Sequence, residues 1–449
     1  MSEKLNVLLV VLGGARADHL SCYGYDRNTT PFLDELSREG VRFTGAFSTA
    51  PGALPAHASI FSGLFTSTHG ASEESPYLGS ERPFLAELFR TAGYRTSGFC
   101  SNPWVSPARG FSRGFDSFNT LSGDGRSIAR AAFFAQRATD RILRRSDAGA
   151  RRTNLAFFDW LGEGNAPFFS FLHYAEPRLR RHPPQPYQRL FVAPEIRRGQ
   201  VRAIERAWNR AGTAQEGDEE QRQILVSLYD GALRYIDSRL AEVAEHLVAK
   251  GLWDRTVVVV TSDHGQDLGE HLVDPPDSGL FDTQLRVPLL LRCPAVVPQG
   301  FVVEELAQHV DLLPTCLHLS GCERESPASQ GRVLLEDGRA TAGPSFVIAE
   351  RFRSDVEALR KRLPAADVRR AEVRMRSLRT RREKYVWRSD EDNEYYDLVS
   401  DPGERRNRVS DSWTRAGALR SQLFDWLAAV ERHRPVENPR VEEVARKQA

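Results

Sequence analysis

Asn6-Val7-Leu8-Leu9-Val10-Val11-Leu12, followed at once by Gly13-Gly14, is a short, valine-rich apolar run with a glycine stop. A strand that is wet on one face alternates polar and apolar residues. A run that is apolar almost throughout suits a strand buried on both faces, in the middle of a parallel sheet. Further segments of strand character are expected over 94–100, Phe168–Tyr174, Thr256–Thr261 and 287–291. Helical stretches lie between them. One opens at Thr30-Pro31, carries Phe32, Leu33 and Leu36 on one face and closes at Gly40; another covers roughly 83–92; a long one ends near Gly251. Strands alternating with helices predict an α/β fold, a large and mainly parallel sheet flanked by helices. Ligands of such sheets bind at the carboxyl ends of strands, which directs attention to Gly13-Gly14 and to Ser262-Asp263-His264.

Outward from that frame, residues of about 120–165 and 176–225 read as insertions rich in arginine and helix formers. Beyond 340 the character changes. Phe346-Val347-Ile348-Ala349, Lys384-Tyr385-Val386-Trp387 and Glu394-Tyr395-Tyr396-Asp397-Leu398 predict strands, and a helix is expected over 411–432. The expected organisation is an α/β domain over 1–340 and a small α+β domain over 341–449. The basic segment 360–384 reads as a solvated face or as a surface for an anionic partner. The chain has 449 residues and 61 Lys and Arg against 60 Asp and Glu, a net charge of +1. That balance removes the whole-molecule electrostatic case for nucleic acid or an acidic membrane. No run reaches the roughly 18–20 apolar residues of a membrane span. The start of the sequence shows no basic, long-apolar leader. Cys22, Cys100, Cys293, Cys316 and Cys322 are scattered, with no CxxC, so reduced structural thiols in a cytoplasmic protein are expected.

Several segments together resemble the sulfatase family of the alkaline phosphatase superfamily. They are NVLLVVLGGARADHLSCYGY from Asn6, TTPFLDELSREGVRFTGAFSTAP, PAHASIFSGL near residue 60 with TSTHG after it, VVVVTSDHGQDLGEH at 257–271 leading into LFDTQLRVPLLLRCP, and YYDLVSDPGERRN at 395–407. The resemblance spans most of the chain in the family's order. It implies the same fold, with a smaller C-terminal sheet domain. It also implies a chemistry that combines a nucleophile behind the leaving oxygen, a hard divalent cation (Ca²⁺, Mg²⁺ or Mn²⁺) held by carboxylates, and cationic groups around the anion.

Residue by residue, the match breaks where that chemistry sits. Gly13 stands where the family has a metal-binding aspartate, and Ala53 where its Cys or Ser nucleophile opens a helix. His57 replaces the motif's arginine, Arg178 ends what is commonly Glu-Pro-His, and Pro276 falls where Lys or His is expected. Asp263 and His264 survive as metal ligands, beside Arg16 and Asp18. The resemblance therefore implies no catalytic nucleophile, either no cofactor or a weakly held divalent cation on Asp263 and His264, and an anion pocket of Arg16, His57 and Arg178, with Arg180 and Arg181 near. A soft-metal site using His57, His264 or His271 is the alternative for the cation. Ser48, Thr49, Ser59, Cys22, His19 and His69 read as packing residues. The leading expectation is a sulfatase-like pseudoenzyme that binds, scaffolds or regulates. Its partner would be an anionic small molecule or an active paralogue. The alternative is a hydrolase or transferase of altered mechanism acting on sulfate, phosphate or phosphonate esters.

Overall fold

The computed structural model describes residues 4–120, 147–164, 167–178, 183–211, 219–271, 278–322, 329–354, 356–362 and 368–431. Its main sheet has eight strands: β1 (Asn6–Leu12), β2 (Val41–Phe47), β3 (Arg95–Cys100), β4 (Ser117–Thr120), β5 (Phe168–Tyr174), β6 (Thr256–Thr261), β7 (Leu289–Arg292) and β8 (Phe301–Gln308). They lie in the order β4-β3-β5-β1-β6-β7-β2-β8. All neighbours are parallel except those of β7, which runs antiparallel to both β6 and β2.

The apolar run of β1 follows from its place. It pairs with β5 on one side and β6 on the other, Val7 opposite both Phe169 and Val257, and all seven of its residues are buried. Val7, Leu9 and Val11 enter one core with α2 (Ala53–Ser62) and α3 (Leu85–Thr91). Leu8, Val10 and Leu12 enter the other, with α4 (Ala150–Leu161) and α6 (Glu219–Ala249). Between those last two lies α5 (Arg198–Ala211), and α1 (Pro31–Glu39) precedes β2. Helices on both faces close the sandwich.

Expectation and structure differ in three places. The strand expected over 287–291 begins at Leu289 and is the antiparallel one. Strands β2, β4 and β8 carry no continuous apolar signal. β2 is broken by Gly45 where its pairing with β8 shifts register, and β8 sits at the sheet edge with Phe301 and Val302 exposed. Within the basic segment 360–384, β12 (Met375–Arg379) forms in the middle of a second sheet. The segment is a solvated face in part, with Arg369, Arg374, Arg381 and Arg382 exposed, while Arg374, Arg376 and Arg379 pair with Glu74, Glu350 and Asp282. Residues 363–367 of that segment lie outside the described residues.

A two-residue ribbon, β9 (Leu335–Glu336) with β10 (Arg339–Ala340), precedes this antiparallel sheet of β11 (Val347–Arg351), β12, β13 (Glu383–Arg388) and β14 (Glu394–Asp397). One face, Val347, Ala349, Met375, Val386 and Tyr396, packs on Phe47, Leu280, Phe281 and Leu285 of the larger unit. The other, Ile348, Leu378, Tyr385 and Tyr395, is covered by Leu419, Leu423 and Leu427. Those leucines belong to α8 (Trp413–Glu431), and α7 (Leu312–Leu319) completes the main domain. All five cysteines are free thiols, four of them buried. Among the described residues, no helix is long and apolar enough to cross a membrane.

Candidate functional site

The register of β5, β1 and β6 brings three chain ends to one level. Val11 stands opposite His173 on one side and Thr261 on the other, so Gly13-Gly14, His173 and Ser262-Asp263-His264 share the carboxyl edge of the sheet. The N-terminus of α2 faces the same edge. Gly14 has φ +83° and donates its N–H to Asp263 Oδ1 at 3.0 Å, while its carbonyl accepts from the Tyr229 hydroxyl at 2.8 Å. The left-handed backbone at residue 14 favours glycine. At Gly13 the reason is crowding. A Cβ there would stand 3.1 Å from His173 Nε2 and 3.2 Å from the Tyr174 carbonyl oxygen. His173 lines the space that a side chain at residue 13 would enter.

Asp263 anchors the group. Oδ1 accepts from the N–H of Gly14 and of His264, and the Ser48 hydroxyl donates to its backbone carbonyl at 2.7 Å. Oδ2 is buried with no hydrogen-bond partner, 3.8 Å from His57 Nδ1 and 3.7 Å from His264 Nε2. Burial opposes the charge, but the positive charge that His264 and Arg178 offer beside it holds the carboxyl below the usual range. His57 lies within α2, fully buried, with Nδ1 2.7 Å from the Ala53 carbonyl. A carbonyl only accepts, so Nδ1 carries the proton and Nε2, buried without a hydrogen-bond partner, keeps its lone pair. Burial lowers the His57 pKa despite Asp263 beside it, which keeps the ring neutral.

The residues predicted for the site separate. Ala53 does open α2. Arg16 is not available to an anion: Asp18 takes it in a two-pronged pair, Glu270 at 2.7 Å, and the Gln266 carbonyl at 3.2 Å. His57 is neutral and sealed, and Arg178 is half-buried and close enough to act on Asp263. Arg180, Arg181 and Pro276 lie outside the described residues. His271 stands apart, bound to Asp267 and the Gly403 carbonyl and stacked on Phe281. His19 pairs with Asp230, and His69 with Ser59. Burial pushes His69 down to about 3 and the Cys22 thiol up to about 12.

Two histidines missed in the sequence join the group. His173 has its ring 5.2 Å from that of His57. His57, His173 and Asp263 offer ligand atoms within 4.8 Å of one another, a set that shares Asp263 with the expected pair, and His264 Nε2 lies 3.7 Å from Asp263 Oδ2 beside it. His309 donates from Nε2 to the Ser262 carbonyl at 2.8 Å, and burial takes it down to about 4. His173 carried a faint signal, as the one imidazole near the carboxyl end of an otherwise apolar strand; His309, following an edge strand, carried none.

The hard cation implied by the family resemblance does not fit these residues. Ca²⁺ takes six to eight oxygens and Mg²⁺ a near-octahedral oxygen shell. Here the cluster provides a single carboxylate with one oxygen uncommitted, glycine at residue 13 and a methyl at residue 53. The group is also closed: Ala53, the most open of Ala53, His57, His173, Asp263 and His264, is 6% exposed.

Comparison with known proteins places this geometry in context. The family model described as Sulfatase matches residues 5–322. An uncharacterized sulfatase, YidJ, of Escherichia coli (strain K12) is 24% identical over 95% of this chain and 86% of its own length. The multifunctional alkaline phosphatase superfamily protein PehA of Trinickia caryophylli is 27% identical over 74% of this chain and 76% of its own. The crystal structure of a phosphonate monoester hydrolase from Agrobacterium radiobacter superimposes with a TM-score of 0.75 at 23% identity, covering 96% of each chain, which is a likeness of fold.

Proposed function

The chain belongs to the sulfatase family, and from that premise we propose that it does not hydrolyse sulfuric esters by the family's covalent route and works by binding instead. One observation carries this reading. Ala53 opens α2, and a methyl group has no lone pair with which to attack sulfur or phosphorus. Its surroundings agree. Gly13 supplies no carboxylate, His173 crowds the space beside it, and Arg16 is neutralised by two acids. The partner we infer is an anionic small molecule beside Arg178, or an active member of the same family acting with this chain.

A second reading is favoured by the buried imidazoles next to Asp263: a hydrolase or transferase of altered mechanism on sulfate, phosphate or phosphonate esters. Steady-state assays with an aryl sulfate, an aryl phosphate and an aryl phosphonate monoester, run beside Asp263→Ala, separate the two. The proposal expects wild type and variant to match the uncatalysed rate. Turnover that disappears in Asp263→Ala would replace it with the second reading.

A further inference from the structure

The donors in the pocket belong to a different class from the oxygen ligands of a hard cation. His57, His173 and Asp263, all buried, hold their ligand atoms within 4.8 Å of one another. A second observation is independent of that spacing. The His57 ring donates from Nδ1 to a backbone carbonyl and leaves Nε2 buried without a hydrogen-bond partner. Asp263 commits Oδ1 to two backbone N–H groups and leaves Oδ2 in the same condition. A ring nitrogen fixed on a carbonyl while the other keeps its lone pair is the arrangement that orients metal-binding imidazoles. His264 repeats it, with Nδ1 on the Gly265 carbonyl at 2.6 Å and Nε2 uncommitted, 3.7 Å from Asp263 Oδ2. Imidazoles with one carboxylate suit Zn²⁺ and its first-row neighbours, whereas Ca²⁺ and Mg²⁺ demand oxygen.

We propose that His57, His173 and Asp263 form a site for one borderline divalent cation of the Zn²⁺ class, with His264 as the adjoining donor. Bonds of about 2.0–2.1 Å set the ligand atoms of a tetrahedral ion roughly 3.4 Å apart, so binding draws the three atoms inward. Its closure from solvent makes it a structural kind of site. The inference goes beyond the loss of ester hydrolysis and does not depend on it.

The test is elemental mass spectrometry on the full-length protein after equilibration with Zn²⁺, Ca²⁺ and Mg²⁺ together and desalting. The expected result is near-stoichiometric zinc, with calcium and magnesium at background. Asp263→Asn and His173→Gln should each retain at least about 10-fold less zinc. His271→Gln, whose ring lies elsewhere, should retain the wild-type amount. Zinc absent from the wild type, zinc unchanged in Asp263→Asn, or calcium bound in preference would each overturn the site. Because a ligand variant can fail to fold, Co²⁺-loaded wild type gives a second reading. Intense visible absorption of a four-coordinate ion is expected, and the weak bands of a six-coordinate one would contradict the assignment. Ester turnover by zinc-loaded protein would overturn the proposed loss of hydrolysis while leaving the metal site standing.

Discussion

At the scale of single residues, the pocket is set by how neighbouring positions share space. The pair most open to experiment is residues 13 and 173. The His173 ring stands 3.1 Å from where a Cβ at Gly13 would lie, so placing a carboxylate at residue 13 meets both a side chain and the Tyr174 backbone. Gly13→Asp should cost about 1–3 kcal/mol by overpacking, with a further penalty for a second carboxylate beside Asp263. Adding His173→Ala should return part of that loss, and a double-mutant cycle on denaturant midpoints measures the coupling. Purely additive effects would show that the two positions do not compete for space. Gly13 and Ala53 were readable as residues without a carboxylate or a nucleophile because the sequence names them directly. The place of His173 was not, because strand pairing alone brings residue 173 level with residue 11, far away in sequence.

At the scale of elements, the helices depend on one another for their ends. No side chain at the N-cap of α1 bonds its free N–H groups. Asp237 of α6 does so instead, accepting from Phe32 and Leu33 at 2.9 Å. Asp237→Ala should cost about 1–2 kcal/mol, the range for losing a cap. Burial pushes the Asp237 carboxyl up to about 7, and the buried Asp311 up to about 6, from an ordinary 3.8. The folded chain therefore keeps protons that the unfolded chain has released between about pH 4 and pH 7. Stability from this source is fully present below that window and is lost as pH rises through it. Asp237→Asn should flatten the fall in unfolding free energy by up to about 1.4 kcal/mol per pH unit. Identical pH slopes in variant and wild type would contradict the assignment. Among the strands that sequence revealed, β1, β5 and β6 are buried along their whole length. Edge strand β8 and bulged β2 were hidden because half-exposed strands mix polar residues into the pattern.

At the scale of the whole molecule, the small sheet is locked to the large one by a buried cation. Lys384 of β13 has no solvent exposure and pairs with Asp282 and Glu404, while Arg379 closes on Asp282 at 2.9 Å. Removing the ammonium leaves the buried Glu404 without its cation and Asp282 with Arg379 alone. Lys384→Met should lower unfolding free energy by about 3–5 kcal/mol, read as a shifted denaturant midpoint. An unchanged midpoint would mean that this ion group contributes nothing net. Composition hinted at a second unit beyond 340, since its aromatic strands differ from the valine runs before it. The junction itself could not be anticipated, because Asp282 and Lys384 are about a hundred residues apart and share no motif.

The central claim is that the sulfatase scaffold here carries no nucleophile. The direct measurement is a single-turnover experiment, with protein in large excess over an aryl sulfate, in metal-free and zinc-loaded forms. Excess protein removes any limit from slow product release, so even one covalent event per chain would register. The account predicts no release of the phenol above the rate in buffer and no mass added to the protein. A burst of phenol proportional to substrate, with a matching adduct on the chain, would contradict it.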